Sequence, residues 1–134
     1  MIDKRQIESY LLLYPKIDEE IKSLEEDLKF FENEKNKYEN QTVLNKIDSE
    51  MLEAAKDGYD EKLQLLCEHT KAKIAIMRSL SKAGFRNRKV IELRFWKHGV
   101  PSKWDDVARI MGISKSSAER FYREFIENVK EVIN

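Results

Sequence analysis

The chain has 134 residues, with 25 Lys+Arg against 25 Asp+Glu and only 4 Gly and 2 Pro. So few breakers in a chain that is 37% charged and 41% hydrophobic argue against disorder and predict an all-α protein: one domain, or a small domain carrying an extended arm. The single cysteine, Cys67, excludes an intramolecular disulfide, suits a reducing cytoplasm, and is read as a small packing residue.

The zero net charge hides an asymmetry. Residues 1–66 hold 10 Lys+Arg and 17 Asp+Glu, a balance of −7, and residues 67–134 hold 15 and 8, a balance of +7. An acidic half joined to a basic half hints at a nucleic-acid face, the plainer reading being solvated helix surface of both signs. The opening "MIDKRQIESYLLLYP" has no charged-then-apolar signal layout, and its apolar run is too short to span a membrane. A cytoplasmic protein without membrane contact is expected.

In chain order, Asp3 to Tyr14 reads as a short helix with Ile7, Tyr10, Leu11 and Tyr14 on one face. Pro15 predicts a break or sharp kink at Tyr14. From Lys16 to Tyr38, Ile17, Ile21, Leu24, Leu28 and Phe31 are spaced 4, 3, 4, 3, the rhythm of a coiled-coil seam. The seam has two readings: packing within the chain, as a helical hairpin, or self-association. Residues 39–58 are weakly patterned; Val43, Leu44, Ile47 and Met51 fit a short helix, and Asp57-Gly58 is a turn signal. A second long helix is predicted from about Tyr59 to Lys82, with Tyr59, Leu63, Leu66, Thr70, Ile74, Met77 and Leu80 on one stripe and Gly84 ending it. These observations divide the chain into an acidic helical arm over 1–83, the candidate oligomerisation region, and a compact basic domain over 84–134.

That domain opens with a helix from about Asn87 to Lys97, apolar at Val90, Ile91, Leu93 and Phe95 and closed by Gly99. Its basic front, Arg86, Arg88 and Lys89, is suited to phosphate contact. Ser102 with Asp105 resembles a capping box for a helix over Lys103–Met111, and Asp105 and Asp106 suit its first turn. Val107, Ala108 and Met111 face inward. Gly112-Ile113-Ser114 makes a three-residue turn, with Ser114 as N-cap of a last helix from Lys115 to Val132. Ala108 must be small where the second helix crosses, and Ile113, Ala118 and Phe121 fill the wedge. The remaining face carries Lys115, Ser116, Ser117, Glu119, Arg120 and Arg123, which can reach base edges and phosphates from a major groove. This set reads as a DNA-binding helix-turn-helix, the alternative being a helical hairpin used in structure or protein contact.

The stretch "RKVIELRFW...SKWDDVARIMGISKSSAERFYREFIENV" resembles the fourth region of bacterial sigma factors over about Arg88 to Val129; no other sigma region is matched. With "IESYLLLYPKIDEEIKSLEEDL" ahead of it, the layout resembles the small phage regulators of the RinA and ArpU group, activators of late or packaging genes in phages and prophages of Gram-positive bacteria. Carried over by motif position, the resemblance implies base contact by Lys115, Ser116, Ser117, Arg120 and Arg123, and backbone contact by Arg88, Ser102 and Lys103. Double-stranded DNA is the expected partner; a single helix-turn-helix offers few base contacts, so a homo-oligomer supplying two half-sites is expected, with the acidic N-terminal helices as the assembly surface or a surface for RNA polymerase. The rival readings are a small terminase-like packaging component, and a sigma-like module that binds polymerase without reading DNA.

Catalytic chemistry is not expected. His69 and His98 are 29 residues apart with no Cys pair near either, so no metal site is predicted. There is no Gly-rich phosphate loop and no nucleophile–base arrangement, and the carboxylates fall on solvated helix faces. No cofactor is expected. Trp96 and Trp104 are read as packing residues between the helices of the C-terminal domain.

Overall fold

The computed structural model describes residues 2–41 and 43–134; Met1 and Thr42, the latter inside the weakly patterned stretch, lie outside them. The described residues form six α-helices and no strand: α1 Lys4–Leu13, α2 Ile17–Glu39, α3 Lys46–Lys82, α4 Phe85–Ile91, α5 Trp104–Met111 and α6 Lys115–Ile133. The protein is all-α. A short 3₁₀ turn over Tyr14–Lys16 joins α1 to α2, and α4 continues into a π-helical turn over Glu92–Trp96. Pro15 therefore makes no break: Tyr14 keeps helical angles (φ −48°, ψ −43°), and the proline sits at the start of the tight turn, where its missing N–H is not needed.

The chain divides into two compact units, Met1–Ile17 with Lys71–Asn134, and Asp18–Thr70. The expected boundary at 83/84 is corrected by this division. The reason lies in the core of the first unit. Ile7 and Leu11 of α1 and Ala75 and Ile76 of α3 are buried in one cluster with Val90, Ile91, Phe95, Tyr122, Phe125, Ile126 and Val129. The basic domain cannot close over 84–134 alone, because α1 and the end of α3 supply part of its interior. Trp96 ties α1 down, donating from Nε1 to the Leu11 carbonyl at 2.6 Å and stacking on Tyr14. Asp3 and Gln6 form the capping box that starts α1.

The expected stripe on α3 is also displaced at this end. Ile74 and Met77 are 42% and 52% exposed, whereas Ala72, Ala75, Ile76 and Ser79 are buried. Ala72, Ala75 and Ser79, at i, i+3 and i+7 around Ile76, let neighbouring elements approach closely, and the large residues Ile74 and Met77 fall off that face.

The second unit is an antiparallel hairpin of α2 against the first part of α3. Lys62 pairs with Asp27 at 3.6 Å and Lys56 with Glu39 at 3.8 Å, and the Lys35 ammonium lies over the Tyr59 ring. The predicted seam is spent inside the chain: Ile17 and Leu24 are buried, and Ile21, Leu28 and Phe31 half-buried.

Asp57-Gly58 is not a turn. Helix α3 runs through it without interruption, and the positive-φ glycines are Gly99 and Gly112. Gly58 serves close approach: a Cβ there would lie 2.5 Å from Phe31 Cε1. The ring of α2 rests on the bare backbone of α3. Cys67, expected to pack, is exposed.

Candidate nucleic-acid interface

Helices α5 and α6 form the helix-turn-helix. Gly112 takes left-handed angles (φ 68°, ψ 33°), which glycine adopts without the Cβ penalty. The Ile113 N–H donates to Ala108 O at 3.1 Å and the Gly112 N–H to Arg109 O at 3.3 Å. These two bonds are the Schellman closure of a helix end, and they fix the angle at which the chain leaves α5. Ser114 then caps α6, its Oγ accepting from the Ser117 N–H at 3.1 Å. Ala108 and Ala118 are buried in one small cluster with Leu93 and Val107, and Ile113, Met111 and Trp104 pack against it. Two alanines at the crossing permit the close approach of α5 and α6.

The start of α5 departs from expectation. Its N-cap is Lys103, with no side-chain cap bond, so Ser102 and Asp105 make no capping box. Ser102 is held from below instead: its N–H donates to the Arg94 carbonyl at 2.8 Å, and Arg94 Nη1 donates to the Ser102 carbonyl. The Ser102 hydroxyl oxygen is buried, so as placed it does not face a phosphate. Arg94 is a residue the sequence reading missed. It lies in the π-helical turn, half-buried, with its guanidinium 4.7 Å from the Trp104 ring centre. The extra residue of that turn lets Leu93 and Phe95 both be buried while Arg94 reaches Ser102.

The proposed reading residues lie along one helix. Lys115, Ser116, Arg120 and Arg123 of α6 are exposed, and Ser117 and Glu119 half-buried. Ser117 is partly engaged, since the Ser114 hydroxyl also bonds its Oγ at 2.9 Å. Lys115 sits 3.9 Å from Asp105, which brings the start of α6 beside the first turn of α5 and near exposed Lys103. Arg120 lies over the Phe121 ring and 3.9 Å from Glu124. The second oxygen of Glu124 accepts from Asn87 Nδ2 at 3.0 Å, and the same amide donates to the Phe121 carbonyl. Asn87, also missed from sequence, thus pins the first turn of α4 to the middle of α6. Arg86 and Arg88, which flank it, are exposed there; Lys89 is half-buried and paired with Glu92. Of the predicted phosphate set, Arg86, Arg88 and Lys103 are exposed, Lys89 is partly committed, and Ser102 is turned inward.

Behind this face Tyr122 locks α6 to α1. Its hydroxyl donates to Glu8 Oε1 at 2.5 Å. Burial, then that bond and the Glu8 charge, push the phenol far above its ordinary range, with Arg94 pulling the other way. Trp104 packs against the Tyr122 ring at 5.0 Å, between α5 and α6 as expected, whereas Trp96 reaches Leu11 and Tyr14, outside the expected domain.

Charge follows the structural division more sharply than the sequence halves. The first unit holds 18 Lys+Arg and 9 Asp+Glu, a balance of +9; the hairpin holds 7 and 16, a balance of −9. No helix of the described residues is long and apolar enough to cross a membrane.

A family model described as "Protein of unknown function (DUF722)" matches residues 1–131, and the chain belongs to that family. No curated protein and no solved structure matches.

Proposed function

We propose that this member of the family is a non-enzymatic, sequence-specific DNA-binding regulator whose α6 enters the major groove. The observation that carries the reading is the exposed row Lys115, Ser116, Arg120 and Arg123, on a helix fixed by a left-handed glycine turn and a serine cap. A helix held so rigidly at its start presents those side chains in a set register, which base readout needs. Arg86, Arg88 and Lys103 supply phosphate contacts, and the +9 balance of the unit favours a polyanion. The resemblance to sigma region 4 and to the RinA and ArpU regulators supports activation of phage late or packaging genes, in the cytoplasm of a bacterial host and next to RNA polymerase. A single helix-turn-helix offers few base contacts, so two copies on two half-sites fit the reading best.

The test is binding to fragments of the source genome over a series of salt concentrations, with Arg120→Ala/Arg123→Ala beside the native protein. Selective, salt-sensitive binding near a promoter, lost in the double variant, is expected. Absence of binding to every fragment at low salt overturns the DNA reading and leaves the protein-contact module. A ring-sized assembly binding at a packaging site favours the terminase-like component.

A further inference from the structure

The two units carry opposite charge, and each also exposes apolar surface. On the hairpin, Phe30 and Met51 are 58% and 44% exposed and line a hollow of about 130 Å³ with Glu34 on its rim. On the basic unit, Lys71, Ile74, Ala75 and Arg78 of α3 line a groove of about 290 Å³ with Val132 and Ile133 of α6. The groove lies at the far end of α6 from Lys115. At 1.5 Å per residue, the 19 residues of α6 separate the two by roughly 27 Å.

We propose that the acidic hairpin of one copy docks in this basic-rimmed groove of a second copy. Charge complementarity decides between occupants. Two hairpins set face to face would each bring a balance of −9 and repel. Hairpin on groove brings Glu34 and its acidic neighbours to Arg78 and Lys71, while Phe30 and Met51 cover Ile74 and Ile133. Two copies exchanging hairpins close a symmetric pair, with the same contact made twice. The contact requires no DNA, so it stands or falls apart from the DNA-reading proposal.

The experiment is sedimentation velocity of the full chain without DNA, at about 50 mM and about 500 mM NaCl, where screening of exposed charges differs strongly. The expected result is a species of twice the 15.9 kDa chain mass at low salt that falls to monomer at high salt. Arg78→Glu and Glu34→Lys, each at a helix surface, are each expected to give monomer with unchanged helical circular dichroism. Mixing the two variants is expected to restore the pair, since Glu at 78 then faces Lys at 34 in one contact and the native pair remains in the other. A monomer at low salt, an assembly whose mass grows with salt, or a mixture that stays monomeric overturns the proposal.

Discussion

Gly58→Ala inverts an ordinary rule. In an exposed helix interior the change gains about 1 kcal/mol, because alanine loses less backbone entropy. Here the new Cβ would stand 2.5 Å from Phe31 Cε1 and 2.8 Å from Cδ1 and Cζ. Carbon atoms at contact prefer about 3.5–4.0 Å, so the ring must retreat by roughly 1 Å or the helices must part. Overpacking of this kind costs about 1–3 kcal/mol, which outweighs the propensity gain and leaves a net loss of about 1 kcal/mol. In a Phe31→Ala background the obstacle is gone, and the same Gly58→Ala should stabilise by about 1 kcal/mol. Urea unfolding of the four proteins, followed by helical circular dichroism, closes the double-mutant cycle. Gly58→Ala stabilising both backgrounds equally would refute the close approach of α2 to α3 at this glycine.

The remaining predictions bear on the basic unit. Leu11→Ala, at a fully buried site, is expected to cost about 2–5 kcal/mol and to weaken DNA binding through unfolding; matching loss by calorimetry and by binding checks it. A fragment covering 84–134 lacks Ile7, Leu11, Ala75 and Ile76 from its core and is expected to show no cooperative thermal transition. Gly112→Ala meets no atom within 4 Å, so its cost is backbone strain alone, about 1 kcal/mol, read as a lower urea midpoint. The pH dependence of Tyr122 has a definite sign. Its pKa is raised from 10.0 in the folded state, so the unfolded chain releases the proton first. The contribution is whole below pH 10 and is lost as pH rises above it, by about 1.4 kcal/mol per pH unit. Unfolding free energies from pH 8 to 11 should show this slope in the native protein and lack it in Tyr122→Phe. For Arg86→Ala/Arg88→Ala, the log–log salt slope of DNA binding is expected to fall by about 2, one for each lost phosphate-facing cation.

Local chemistry was legible in the sequence wherever one residue type is needed at one place. The scarcity of Gly and Pro determined an all-helical chain. Gly112 and Ser114 determined the turn between α5 and α6, since only a left-handed glycine and a hydroxyl cap satisfy the backbone there. Val90, Ile91, Leu93 and Phe95 declared a buried face, and the exposed row from Lys115 to Arg123 followed from the helical period. What depended on partners distant in sequence was decided by tertiary structure alone. Asp57-Gly58 carries a turn signal, but the Phe31 ring needs the bare backbone of Gly58, and packing overrides local preference. Ile74 and Met77 outrank Ala75 and Ser79 in hydrophobicity, yet close approach selects the smaller residues for the interior. Ser102 and Asp105 have capping-box spacing, but Arg94 captures the Ser102 backbone first. The seam at Ile17, Leu24 and Phe31 identified a helix that packs on something; the seam alone did not say whether the partner was its own chain. The boundary at 83/84 was missed for the same reason, because Ile7 and Leu11 of α1 enter a core whose other half lies more than sixty residues along the chain.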